Sequence, residues 1–227
     1  MIFYNEDQAI KLCTENPTLI FDLVKDGYID VVDKIITKHK NLINTKDDNG
    51  NNIMMRLLMK KEYNTVFKHM KNKNWDINNQ NNDGNTFAHL LVTTTYLQIA
   101  KILTTLIKNQ NFIPNIKNKN NETILDRAIK HNQLYTVAKI LEDKKFNNID
   151  IISFKDLYNK YIKDGYYGKY SKLNNLEIIV SSLKKKPSLQ PKMKELLTKI
   201  NNNMDNIKHE LLTNKFSNLD IIIASFI

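Results

Sequence analysis

Short apolar runs alternate with polar loops along this chain, and the alternation itself recurs over a longer distance. In the stretch Gly84-Asn85-Thr86-Phe87-Ala88-His89-Leu90-Leu91 a loop rich in Asn and Asp switches abruptly into an apolar run. The same switch occurs at Asn16-Pro17-Thr18-Leu19-Ile20-Phe21-Asp22-Leu23, at Gly50-Asn51-Asn52-Ile53-Met54-Met55-Arg56-Leu57 and at Asn121-Glu122-Thr123-Ile124-Leu125-Asp126-Arg127-Ala128. The four starts are separated by 34, 34 and 37 residues, the extra three lying before Pro114 in the run IKNQNF. A fixed period of this size marks a repeating supersecondary unit.

Each copy continues alike. A short apolar helix follows the switch, and a turn comes next, at Asp26-Gly27, Lys60-Lys61, Thr94-Thr95 and His131-Asn132. A second helix is predicted from apolar residues at helical spacing, such as Ile29, Val32, Ile35 and Ile36, or Leu134, Val137, Ile140 and Leu141. An extended polar segment then leads to the next copy, through Leu42-Ile43-Asn44, Asp76-Ile77-Asn78 and Ile113-Pro114-Asn115. One helix pair cannot bury both of its apolar faces, so the copies are expected to stack.

These residues resemble the ankyrin repeat. Gly84-Asn85-Thr86-Phe87-Ala88-His89 resembles that family's G-x-T-P-L-H opening. Gly27-Tyr28-Ile29-Asp30-Val31-Val32 is similar to its second-helix start, and Asp76-Ile77-Asn78 to its D-V-N loop entry. Phe87, Ile53 and Ile124 stand in for the family's proline, Asn121 for its glycine, and the histidine is kept only at His89. The resemblance implies an all-α, ankyrin-like helical repeat solenoid of about four repeats over residues 14–145. Residues 1–13 are then an N-terminal cap, and residues 146–227 a degenerate repeat followed by a divergent helical C-terminal region.

It also implies a recognition surface. In such stacks the loops project as fingers, here Asp48, Asn49, Asn51, Asn82, Asp83, Asn85, Lys119, Asn120 and Glu122. The first helices line a concave face and close with Lys25, Asp26, Met59, Lys60, Thr93, Thr94, Lys130 and His131. Side chains that need not fill a core are free to read a partner, and a rigid stack loses little entropy on binding. Lys119 and Lys130 would suit an acidic surface. Trp75 has two readings: packing over the neighbouring repeat, or an interface anchor.

The tail loses the opening motif. SFKDLYNKYIKDG and KLNNLEIIVSSLKK read as the two helices of a decayed fifth copy around the loop GYYGKYSK. PSLQPKMKELLTKI, with Met193, Leu196, Leu197 and Ile200 at helical spacing, MDNIKHELLT and LDIIIASFI read as further helices. They either cover the apolar end of the array or form a second partner-binding module. Tyr158, Tyr161, Tyr166, Tyr167 and Tyr170 interleave with Lys160, Lys163, Lys169 and Lys172, a pattern that could stack bases and hold a nucleic-acid backbone. Gly165 to Ser171 is weak as a phosphate loop, because only two residues separate its glycines and no strand precedes it.

Composition narrows the picture. With 5 Gly and 4 Pro, a β fold rich in tight turns is disfavoured. The formal charge of +10 comes almost wholly from lysine, Arg56 and Arg127 being the arginines. AT-rich codons encode Lys, Asn, Ile and Tyr, so genome bias accounts for much of this basicity; the rival account is an acidic or nucleic-acid partner. Such a composition resembles that of AT-rich large DNA viruses and intracellular bacteria. Cys13 stands alone and forms no internal disulfide, no apolar run reaches the ~18 residues that span a bilayer, and no signal peptide is visible. An intracellular, cytoplasmic setting is expected, in the producing cell or a host, with the sequon at Asn121 unglycosylated.

Chemistry is missing from the pattern. One cysteine cannot build a zinc site with thiolate spacing, and no hydrolase, metalloprotease or dinucleotide motif occurs. His89 lacks a partner to set its pKa and reads as a structural histidine bridging a loop and a helix start. Thr86 and Thr123 read as helix caps, and Asp47, Asp48 and Asp83 as loop acids satisfying turns. The expectation is therefore a non-catalytic adaptor without cofactor or metal, binding another protein. The alternative is an architectural subunit of a virion or larger assembly, and a third class is nucleic-acid binding through the tail.

Overall fold

The computed structural model describes residues 6–94, 98–131 and 133–146, together with Ser182 and Thr198. The chain divides into two compact units, residues 1–133 and 134–227. The first holds α1 (Glu6–Glu15), α2 (Ile20–Asp26), α3 (Ile29–Lys38), α4 (Ile53–Met59), α5 (Tyr63–His69), α6 (Phe87–Leu91), α7 (Gln98–Lys108) and α8 (Ile124–Lys130). In the second, α9 (Leu134–Glu142) is followed by a 3₁₀ turn at Lys144–Phe146. The fold is all-α: among the described residues there is no strand, only isolated bridges between Lys46 and Asn52 and between Gln80 and Thr86.

Three helices start by one device. Asn52 caps α4, its side chain accepting the Met55 N–H at 3.0 Å. Thr86 caps α6 and Thr123 caps α8, each within a reciprocal capping box closed by His89 or Asp126. A cap of this kind satisfies an orphan N–H and contributes roughly 1 kcal/mol. The helices close by a shared device as well: Tyr28, Glu62 and Gln133 donate their N–H to Leu23, Leu57 and Ala128 carbonyls at 2.9, 2.9 and 3.0 Å. Gly27 and Lys61 reach that turn through the left-handed region, at φ 86° and 65°.

The opening at residue 16 departs from the other three. Gly50, Gly84 and Asn121 have φ of 73°, 75° and 60°. Asn16 instead is extended at φ −131° and caps nothing with its side chain. Pro17 fixes the next φ, a 3₁₀ turn runs over Pro17–Leu19, and Thr18 turns its hydroxyl to Asn16 Oδ1 at 2.8 Å. The physical reason lies upstream. Helix α1 runs to Glu15, beyond residue 13 where the sequence pattern ends the cap, so no loop precedes this opening.

Packing follows the period. Ile20, Phe21, Leu23 and Val24 are buried, as are Met54, Met55, Leu57 and Leu58 and then Ala88, His89, Leu91 and Val92. Helix α2 packs on α4, α4 on α6 and α6 on α8. Each also packs on the helix that follows it, as α2 does on α3, α4 on α5 and α6 on α7, while α1 packs on α3 and α5 on α7. Fully burying each Val, Leu, Ile, Phe or Met among these stabilises by about 1.5–3 kcal/mol. Across the α3 to α5 step, Asp33 takes the Lys68 ammonium on one oxygen and His69 Nε2 on the other, the latter at 2.6 Å.

In the second unit α9 and its following turn bury Val137, Ala138, Ile140, Leu141 and Phe146. The expected tail helices and the Lys/Tyr segment from 158 to 172 lie outside the described residues. No helix among the described residues is long and apolar enough to cross a membrane.

Candidate interaction surface

The loops that lead into α4, α6 and α8 are built alike. In the middle one, Asn81 accepts the Asp83 and Asn85 N–H groups on its side-chain oxygen at 3.0 and 2.9 Å. Asn118 does the same for Asn120 and Glu122, both at 3.0 Å. Asp47 does so for Asn49 and Asn51, at 3.0 and 2.8 Å. A short polar side chain folding its own following backbone is the usual reason for Asx residues in turns.

The loops are also bonded to one another. Asn82 donates its N–H to the Asn49 carbonyl at 2.9 Å, and Lys119 to the Asp83 carbonyl at 3.0 Å. Beneath this, Asn81 Nδ2 donates to Asn51 Oδ1 and Asn118 Nδ2 to Asn85 Oδ1, each at 2.9 Å. A buried amide ladder therefore links the three loops. Each end carries an ion pair: Arg56 Nε meets Asp47 at 3.0 Å, while Arg127 and Lys130 meet Glu122 at 3.3 and 2.5 Å. The two arginines of the sequence terminate the ladder.

Electrostatics follow from this. Burial acts to raise the Glu122 carboxyl, but hydrogen bonds from Lys130 and Asn118, with the charges of Lys130 and Arg127, outweigh it and hold the group at about 2. His89 goes the opposite way, its pKa pushed down by burial first and by the Arg127 charge, against a carbonyl bond that favours the charged form. Its Nδ1 accepts the Thr86 N–H at 3.1 Å, which places the proton on Nε2, donated to the Glu122 carbonyl at 3.0 Å. His89 thus ties one helix cap to the next loop as a neutral ring. Burial likewise lifts the Cys13 thiol, together with the Asp22 charge, to about 11.

The expected recognition residues fall into two groups. Asp48, Asn49, Asn82, Asp83, Lys119 and Asn120 are exposed on the loops, and Lys25, Asp26, Met59, Lys60, Lys130 and His131 on the first-helix ends. Thr93 and Thr94 are half-buried, their hydroxyls on the Leu90 and Leu91 carbonyls. Asn51 and Asn85, expected at the finger surface, are instead buried at 3% and 7% exposure, because their amides are rungs of the ladder. Glu122 is committed to its two cations. Trp75 is 7% exposed and meets the Phe87 ring edge-on at 5.1 Å, so of its two readings packing prevails.

Sequence reasoning missed a second set of bridging amides. Asn44 accepts the Asp76 N–H at 2.8 Å and donates to the Asn74 carbonyl. Asn78 accepts the Ile113 N–H at 3.0 Å and donates to the Asn111 carbonyl at 2.7 Å. The signal was present as Asn at one period's spacing within the loop entries. Among the described residues no group of His, Cys, Asp or Glu could hold a metal ion.

No protein-family model matches the chain, and no solved structure matches it. Among curated proteins it is similar to alpha-latroinsectotoxin-Lt1a of Latrodectus tredecimguttatus, 27% identical over 146 residues. The matched stretch is 64% of this chain and 10% of the toxin, so the chain spans about a tenth of that relative's length.

Proposed function

We propose that the chain is a non-catalytic protein-interaction scaffold of the ankyrin-repeat kind, a helical solenoid that binds a partner protein through its loop tips and first-helix ends. One observation supports this reading above the others. The amide ladder and the inter-loop backbone bonds hold three successive loops in a fixed mutual register. Rigidity at exposed tips is what a binding surface needs, because little conformational entropy remains to be lost on association. The exposed tip residues are polar and of mixed charge, which suits a protein surface.

Photo-crosslinking residues installed at Asn49, Asn82 and Asn120 test it in extracts of the source cells. All three should capture one common protein, and positions on outer helix faces, Lys11 and Thr104, should not. Equal capture from the outer positions, or a different protein from each tip, would defeat the proposal.

A further inference from the structure

The lysines of the first unit are not distributed evenly by pairing. Of those seated on helices, Lys11, Lys34, Lys68 and Lys130 each meet a carboxylate, while Lys101 lies over the Phe67 ring. The three segments that run from a second helix toward the next loop are different. Residues 38–46 contribute Lys38, Lys40 and Lys46, residues 71–80 Lys71 and Lys73, and residues 108–117 Lys108 and Lys117. All of these are exposed, and Asp76 is the single carboxylate in the three segments. The loop tips carry the reverse balance, with Asp48 and Asp83 exposed and only Lys119 against them.

These segments lie side by side. Asn44 bonds residues 74 and 76, Asn78 bonds residues 111 and 113, and Gln80 Nε2 donates to the Lys117 carbonyl at 3.0 Å. Lysines at a helix C-terminus ordinarily complement the helix dipole. That accounts for Lys38 and Lys108, the last residues of α3 and α7, but not for Lys40, Lys46, Lys73 and Lys117, which lie outside the α-helices. The first segment also borders an open recess of about 490 Å³, lined in part by Lys38, His39, Lys40, Asn41 and Asn74.

We propose that this lysine edge is a docking surface for an acidic, extended segment of a partner protein, separate from the loop tips. Packed helices repeat at roughly 8–10 Å. An extended segment in the polyproline II form has three residues per turn and advances about 3.1 Å per residue, so every third side chain shares a face about 9 Å from the last. A carboxylate at every third residue of such a segment therefore meets successive lysine rows. Flexible ammonium groups act as point charges and suit carboxylates without fixed geometry. Nucleic acid fits less well. Of the aromatic rings in these segments Trp75 and Phe112 are buried, which leaves the half-buried His39 as a stacking surface, and the segments carry no arginine.

Fluorescence anisotropy with the full chain tests this, using a labelled peptide with glutamate at every third residue and serine elsewhere. Binding should weaken about tenfold or more in the double variant Lys71→Glu/Lys73→Glu, and rising salt should weaken it in the parent. The charge-matched pair Lys11→Glu/Lys101→Glu should stay within about twofold of the parent. Equal loss in that pair would reduce the effect to net charge and overturn the assignment. So would duplex DNA or vesicles of anionic lipid binding as tightly as the peptide, or no binding of the peptide at all. Because the loop tips are untouched, photo-crosslinking from Asn82 reads the other surface independently.

Discussion

Two loops with the same backbone meet different surroundings. Residues 81–84 and 118–121 share the same internal bonds and the same left-handed final residue, Gly84 in one and Asn121 in the other. A Cβ on Gly84 would stand 2.8 Å from the Lys119 nitrogen and 3.1 Å from Asn118 backbone. Gly50 is in the same position beneath Asn82, whose backbone nitrogen would be 2.9 Å away. Asn121 is exposed, at φ 60°, and among the described residues no loop bonds across it as Lys119 does across Gly84. The middle loop thus needs glycine twice, for its φ and for the neighbour that lies on it; the last needs only the φ. Asparagine meets that single demand at modest cost.

The largest effect is expected from Gly84→Ala, which combines a left-handed alanine with a clash against backbone that cannot step aside. It should lose about 3 kcal/mol in urea unfolding, whereas Asn121→Ala loses about 1. Equal losses would show that the neighbouring loop yields. Next comes the ladder itself. Asn81→Ala strands two N–H groups and the Asn51 amide, for about 2–3 kcal/mol, while Asn82→Ala on the same loop costs under about 1. Comparable values for the two would remove the distinction between buried rung and exposed tip.

Acid titration sharpens the comparison of the ladder's end with its middle. His89 has a lowered folded-state value, so the unfolded chain takes the proton first, and stability falls as pH drops below about 6.5. Glu122 contributes stability that is complete above 4.5 and is lost as pH falls toward about 2. A His89→Gln variant should flatten the first window and leave the second, read by denaturation midpoints across pH. The smallest effect belongs to Lys130→Met, under about 1 kcal/mol because that ammonium is exposed. Arg127→Met, at the better buried partner of the same carboxylate, should exceed it.

Helix positions were legible because they depend on local chemistry. Thr86 and Thr123 cap where an acceptor precedes an apolar run, and Asn121 adopts the conformation its residue type tolerates. The structure likewise bore out His89 as a structural bridge. What escaped was pairing across a whole period. Asn51 and Asn85 look like surface polar residues until their partners some thirty residues away are known, and only folding brings those together. The abundance of asparagine had an apparent explanation in codon bias, which hid its use as mortar between copies. The opening at Asn16 matched by composition yet differs in conformation, since the helix before it left no loop to turn.

The bonds from Asn82 to Asn49 and from Lys119 to Asp83 bear on how these loops exchange hydrogen with solvent. Amides at exposed loop tips normally trade their protons with deuterated water almost at once. Here two of them can do so only when adjacent loops part, so their protection tracks the separation of one loop from the next and makes a surface turn a slow reporter of that opening.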